Sequence, residues 1–156
     1  VERCGIYGQK IFVNDFNVTG MLREREISML ASTLSKERSV RQFLLKIQRR
    51  FAAEHSVVME GRDIGTVVLP NADLKIFLTA DLDPRAERCL AEMRLHGDYS
   101  VSLEALREEL RLRDEQDTNR EEAPLCAAED SIIVDNTELS VAETLKEILT
   151  RIGAKK

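Results

Sequence analysis

Cysteine, histidine and long apolar runs are all scarce in this sequence, and each shortage removes a class of function. The three cysteines, Cys4, Cys89 and Cys126, are single and far apart. That pattern fits reduced thiols in a cytoplasmic protein, not a disulfide framework or a zinc site. The two histidines, His55 and His96, have neither a helical-spacing partner nor a cysteine beside them, so no metal ligation is expected. No apolar run approaches the roughly 18 residues of a membrane span, and no secretory leader is read. Internal repeats and low-complexity tracts are absent as well. Basic residues are outnumbered: 23 Lys and Arg stand against 28 Asp and Glu, a formal net charge of −5. This argues against nonspecific nucleic-acid or membrane-surface binding as the main role, yet leaves room for a local basic pocket. The first residue is Val1 and not methionine, so the chain is read as a fragment.

What is present is a soluble globular composition. The 156 residues are 43% hydrophobic and 33% charged, enough for one domain or for a small core with a subdomain. The stretch Ser56 to Val68 organises the rest. Val57 to Met59 reads as a buried strand that runs into a loop bearing Arg62 and Asp63, flanked by Gly61 and Gly65. Glycines there let the backbone turn tightly or approach a ligand. In open α/β sheets ligands collect beyond the carboxyl ends of strands, where this pair would stand. An exposed, salt-bridged loop is the alternative reading of the dipeptide.

Residues 9–20 suggest a hairpin turning at Asn14-Asp15, with Gly20 breaking the pattern. Glu24 to Ser35 has helical spacing in Ile27, Leu30, Ala31 and Leu34. Ser39 is placed to cap a second helix whose stripe of Val40, Phe43, Leu44, Ile47 and Phe51 is expected to be core. Leu74 to Thr79 reads as a strand. Asp83-Pro84 reads as the start of a helix that runs to about Leu95 and stops at Gly97. That helix has few large apolar groups but carries Arg85, Arg88 and Arg94, so it need not be deeply packed, and a lightly packed, arginine-bearing helix could move. Ser102 caps a further helix with Leu103, Leu106 and Leu110 on one face. Its Arg113, Asp117 and Arg120 share one side if the helix is continuous, either as a surface ion-pair ladder or as a site. Ile132 to Val134 is a third short strand, followed by an Asp135-Asn136-Thr137 turn. Ser140 to Glu143 forms a capping box before a helix whose stripe of Val141, Leu145, Ile148, Leu149 and Ile152 is expected to be buried. The order from Val57 onward is strand, strand, helix, helix, strand, helix, which indicates α/β layering with a mostly parallel sheet.

Several of these stretches together resemble the cytidylate kinase family. They are Glu60-Gly61-Arg62-Asp63-Ile64-Gly65-Thr66-Val67-Val68, Ala72 to Ala80, Arg113-Asp114-Glu115-Gln116-Asp117-Thr118-Asn119-Arg120, Ala123-Pro124-Leu125, and Asp130 to Asp135. The hairpin and the segment from Ala31 to Arg41 match the family's nucleotide-binding insert, so the resemblance covers essentially the whole chain. It implies a three-layer P-loop kinase-like α/β fold with a mostly parallel sheet. Residues 1–55 would form the acceptor-nucleotide insert, and 56–156 the carboxyl-terminal part of the kinase core with a lid at about 82–100. The family's opening strand and GxxxxGK[ST] phosphate loop have no counterpart. The nearest run, Gly5 to Lys10, has the wrong spacing and no hydroxyl after the lysine.

The resemblance further implies ATP-dependent phosphorylation of CMP and dCMP in the cytoplasm, with Mg²⁺ accompanying ATP in the complete enzyme. CMP or dCMP and ATP would be the partners, with no nucleic acid, no membrane, and a monomer when complete. Ser32, Arg41 and Asp63 would read the base. Arg62 and Arg120 would hold the acceptor phosphate, and Arg113 with Asp117 the sugar hydroxyls. Arg85 and Arg88 would be lid arginines closing over the donor phosphates. Cys89 stands where the family often has another arginine. No residue of this chain is expected to bind a cofactor or metal by itself. A nucleotide-binding fragment without transfer activity is the alternative, because the donor loop is absent.

Overall fold

The computed structural model describes residues 4–7 and 10–154. The chain divides into two compact units, 1–56 and 57–156. In the first, strands β1 (Cys4–Tyr7), β2 (Lys10–Val13) and β3 (Phe16–Asn17) form an antiparallel meander. Val13 pairs with Phe16 across Asn14 and Asp15, whose φ values of 47° and 69° are the left-handed pair that a two-residue hairpin requires. Thr19 extends the hairpin, since its Oγ1 accepts the Ile11 N–H at 2.9 Å. Gln9, at the edge of the expected hairpin, lies outside the described residues.

Helices α1 (Arg25–Leu34) and α2 (Arg38–Glu54) follow a short 3₁₀ turn. Ser39 does not cap α2. The turn after α1 already places Glu37, whose N–H donates to the Leu34 carbonyl and whose carbonyl receives the Arg41 N–H. The helix therefore starts at Arg38, leaving Ser39 inside the first turn. Nor is the α2 stripe core: Phe43 is 64% and Phe51 48% exposed. The strands of this unit are at most four residues long, about 13 Å. Such a sheet is shorter than a 17-residue helix of about 25 Å.

The second unit holds the parallel pair β4 (Ile76–Thr79) and β5 (Ile132–Asp135), in register from Ile76 with Ile132 to Thr79 with Asp135. Parallel neighbours need a crossover, and here it consists of α3 (Leu82–Leu95) and α4 (Leu103–Asn119) packed on one another. Helix α5 (Val141–Ala154) then returns against β5. The buried apolar set is Val68, Ala86, Leu90, Leu106 and Val134.

The caps follow local chemistry. Ser140 and Glu143 make the reciprocal capping box, with Ser140 N–H to Glu143 Oε2 at 2.9 Å and Glu143 N–H to Ser140 Oγ at 3.3 Å. Ser102 Oγ accepts from Ala105 N–H. Gly97, at φ 83°, ends α3 as a Schellman motif, its N–H donating to Arg94 and that of Asp98 to Met93.

Four expectations for this unit are corrected. Val57 to Met59 is no strand: β4 and β5 pair only with each other among the described residues, and Val58 is fully exposed. Extended backbone without a hydrogen-bonded neighbour is not a sheet element. Pro84 is not the first helical residue of α3, which begins at Leu82. The first helical bond, Arg85 N–H to Asp81 carbonyl, leaves Pro84 in the turn where no N–H is needed. Helix α3 is not lightly packed, because Ala86 is fully buried and Leu90 nearly so. Finally, the α5 stripe is largely exposed, at 88% for Val141, 56% for Leu145 and 59% for Leu149. The two four-residue strands offer too little sheet to cover it. Among the described residues no helix is long and apolar enough to cross a membrane.

Candidate functional site

The segment from Gly61 folds as a turn of π-helix, Ile64–Val68, and not as an open loop. The Asp63 carbonyl receives both the Val67 and Val68 N–H groups, and that of Ile64 receives Leu69. Gly61 is required by space, since a Cβ there would stand 2.9 Å from Ile64 Cγ1. Wide turns of this kind recur at functional sites. This one presents Arg62 and Asp63 at its amino-terminal end.

The last turn of α4 supplies the facing groups. Arg62 Nε stands 3.1 Å from Asp117 Oδ2, Arg120 Nη1 3.8 Å from Asp117 Oδ1, and Arg120 Nη2 3.7 Å from Asp63 Oδ1. Two arginines and two aspartates thus alternate, with Arg113 one helical turn before Asp117. The Asp117 side chain is only 6% exposed, Asp63 13% and Arg120 16%. The continuous-helix expectation holds for Arg113 and Asp117 but not for Arg120. Helix α4 stops at Asn119, and Arg120 is extended at φ −66°, ψ 142°. Its Nε donates to the Ala123 carbonyl, and the Leu125 N–H donates to the Asp117 carbonyl at 2.8 Å. The loop after α4 therefore folds back, which turns Arg120 toward both aspartates.

Within this cluster Asp117 Oδ2 and Arg120 Nη2 are buried without a hydrogen-bond partner, as is Arg113 Nε one helical turn earlier on α4. The 3.1 Å approach of Arg62 to Asp117 is attraction between charges without hydrogen-bond alignment. An unsatisfied buried polar group costs about 1–3 kcal/mol, and two in one cluster mark a region built for something other than stability. The Arg62 and Arg120 guanidiniums stand there against the Asp63 and Asp117 carboxylates. The cluster can accept an anion and can pair with both donors and acceptors of a polar ring.

Arg85 and Arg88, on α3, are tied down separately. Arg85 pairs with Asp114 of α4 through both nitrogens, at 3.1 and 2.5 Å. Arg88 Nη2 donates to the carbonyls of Asn136, Thr137 and Leu139 at 2.7, 2.9 and 3.1 Å. Cys89, next after Arg88, is half-buried, and burial first, then Glu92 and Glu109, pushes its thiol pKa up. Ser32 and Arg41 belong to the first unit, where Arg41 Nη1 reaches the Ser35 carbonyl at 3.5 Å and Ser35 Oγ donates to the Ser32 carbonyl at 2.7 Å. The run Gly5 to Lys10 falls partly on residues 8–9, outside the described residues.

Sequence reading missed two residues here. Asp114 lies inside the Arg113 to Arg120 run, but nothing local links it to Arg85. Lys75 looked like an ordinary charged residue at the head of a strand. It is instead buried, with Nζ 2.8 Å from Asp130 Oδ1.

A sequence model described as Cytidylate kinase matches residues 3–154. Relatives named cytidylate kinase share 48% identity over 141 residues in Caldicellulosiruptor bescii, covering 90% of this chain and 62% of that protein. The Carboxydothermus hydrogenoformans protein shares 45% over 151 residues, or 97% of this chain and 68% of its own length. The Bacillus subtilis protein shares 45% over 148 residues, or 95% and 66%. The chain thus spans roughly two-thirds of the length of the relatives it matches, 62% in the first case. With an α/β unit built on parallel strands and a cluster of the residue types that nucleotide recognition needs, the chain belongs to the cytidylate kinase family.

Proposed function

We propose that this chain carries the acceptor-nucleotide site of an enzyme that transfers a phosphoryl group from ATP to CMP or dCMP, giving CDP or dCDP. The observation that supports it is the Arg62–Asp63–Asp117–Arg120 cluster around the buried Asp117, with the unpartnered Asp117 Oδ2 and Arg120 Nη2. Phosphoryl transfer is mainly positioning and charge stabilisation, so arginines are the groups it needs and no general base is demanded. Arg62 and Arg120 hold the acceptor phosphate, whose oxygens suit guanidinium forks. Arg113 and Asp117 take the sugar hydroxyls.

Asp63 accepts from the N4 amino group of cytosine, with Ser32 and Arg41 completing the base-reading set. Uracil offers an oxygen at that position, so it meets the carboxylate acceptor to acceptor, and the failed pairing is the source of selectivity. Arg85 and Arg88 serve the donor phosphates. For Arg85 this means exchanging the Asp114 carboxylate for a phosphate of similar fork geometry. On this reading residues 1–55 are the acceptor-nucleotide insert and about 82–100 the lid. The complete enzyme is a cytoplasmic monomer whose partners are nucleotides. Mg²⁺ enters as the counter-ion of ATP. Among the described residues no group of three or more His, Cys, Asp or Glu could hold a metal.

One observation favours a second reading, nucleotide binding without transfer: no GxxxxGK[ST] run occurs in the 156 residues. Calorimetric titration of the chain with CMP and UMP, beside a coupled assay for ADP release, tests both. CMP is expected to bind at least about tenfold tighter than UMP, with no ADP released by this chain alone. Equal binding of UMP would remove the role given to Asp63, and ADP release would remove the second reading.

A further inference from the structure

The geometry points to Lys75 as the positioning residue of the Arg62–Asp63 pair, a role that rests on the acceptor-site reading above. Among the described residues Lys75 is one of few buried charged ones, and its side chain is 8% exposed. Its Nζ donates to the Pro70 carbonyl at 2.5 Å and to Asp130 Oδ1 at 2.8 Å. Pro70 closes the segment that begins at Asp63, and Asp130 lies just before β5. The backbone of Lys75 is tied to the second of these regions, because its carbonyl receives the Ile132 N–H at 2.9 Å. Its stem lies along the π-helical turn itself: a Cβ on Gly65 would meet Lys75 Cδ at 3.4 Å, Cγ at 3.6 Å and Cβ at 3.7 Å. The turn is thus held from beneath by the lysine stem and at its far end by the ammonium group.

A desolvated ammonium is costly to bury unless paired, and an apolar residue would fill the same space without that cost. What the ammonium adds is direction, because it bonds the Pro70 carbonyl just past the turn and one atom of the β5 approach. The Asp63 carbonyl caps the turn through Val67 and Val68. Fixing the turn therefore fixes the backbone from which the Arg62 and Asp63 side chains reach Asp117 and Arg120. A displacement of about 1 Å at such a site is enough to cost large factors in recognition.

The test compares wild type with Lys75→Met, which keeps the stem and removes the ammonium, by amide hydrogen exchange and by titration with CMP and UMP. In the variant the Val67, Val68 and Leu69 amides are expected to exchange at least about tenfold faster, while those of Leu90 and Leu106 stay unchanged. CMP affinity is expected to fall about tenfold, and the CMP-to-UMP ratio to narrow. Uniformly faster exchange, or unchanged exchange with unchanged selectivity, would overturn the inference. If Lys75→Met does not fold, Asp130→Ala replaces it. That variant is expected to give the same pattern at about a third of the size, and a flat result there overturns the inference equally. A wild type that shows no preference for CMP sinks the acceptor-site reading instead, and the exchange data still decide whether Lys75 holds the turn.

Discussion

The Arg85 guanidinium meets the Asp114 carboxylate edge to edge, Nη1 to Oδ1 at 3.1 Å and Nη2 to Oδ2 at 2.5 Å, and so joins α3 to α4. Arg85 Nε also donates to the Ala80 carbonyl at 3.0 Å, which anchors the same side chain at the end of β4. Both side chains are a little under a third exposed, so solvent weakens the attraction without removing it.

Asp114→Ala is therefore expected to lower stability by about 1–2 kcal/mol, as fits a bidentate pair discounted for exposure. Urea unfolding of Asp114→Ala, Arg85→Ala and the double variant checks this. A coupling of about 1 kcal/mol between the two sites is expected, against near zero for two unrelated surface positions.

Asp63 and Asp117 should separate specificity from stability. Asp117 lies between Arg62 and Arg120 at 6% side-chain exposure. Asp117→Ala leaves those two cations with Asp63 as the remaining carboxylate of the cluster, an expected loss of about 3 kcal/mol. Asp63→Ala leaves Asp117 in place between Arg62 and Arg120. It is expected to cost roughly half as much stability while removing most of the CMP preference over UMP. Denaturation curves and paired titrations of both variants test the contrast, which fails if Asp63→Ala keeps full selectivity.

The capping box of α5 carries a pH dependence. The side-chain and backbone bonds from Ser140 hold the Glu143 carboxyl below its ordinary value of 4.5. Its contribution to the helix is thus present above about pH 4.5 and is lost as pH falls through the lower folded value. Carboxyl NMR titration is expected to show Glu143 titrating below 4.5, and Ser140→Ala is expected to return it toward 4.5. An unchanged midpoint in Ser140→Ala would show that the bonds do not set it.

Thiol chemistry distinguishes two cysteines. Burial, followed by Glu92 and Glu109, pushes the Cys89 thiol above its ordinary value of 9.0, whereas Cys126 is exposed. Only the thiolate reacts. Alkylation with iodoacetamide at pH 8, followed by peptide mass spectrometry, is expected to label Cys126 at least about tenfold faster than Cys89 in the folded chain. The difference should be largely erased in urea.

Elements held by near neighbours were readable before any coordinates. Asn14-Asp15 announced a two-residue turn, Ser102 and Ser140 announced caps, and Gly97 announced a helix end. In each case the partner is within a few residues and the bond follows from residue type. Expectations that needed a distant partner fared differently. Val57 to Met59 has strand composition but no neighbouring strand among the described residues. The apolar stripes of α2 and α5 have helical spacing but little sheet opposite them. Ser39 was a sound cap for an isolated helix, and the turn after α1 overrode it.

The candidate site divides along the same line. Arg62, Asp63, Arg113, Asp117 and Arg120 could be named from spacing and resemblance, but not the fold-back at Ala123 that turns Arg120 toward the aspartates. Asp114 as the partner of Arg85, and Lys75 beneath the π-helical turn, were invisible because their contacts join segments distant in the chain.

By itself, the order of residues determined the helices, the caps at Ser102 and Ser140, the hairpin turn, the α/β class and the kind of chemistry on offer. These depend on backbone geometry and on bonds spanning three or four positions. Tertiary structure alone decided which apolar faces are covered, which charges are desolvated and which guanidinium faces which carboxylate. Burial and long-range pairing are properties of the space between elements, and that space exists only once the elements have packed.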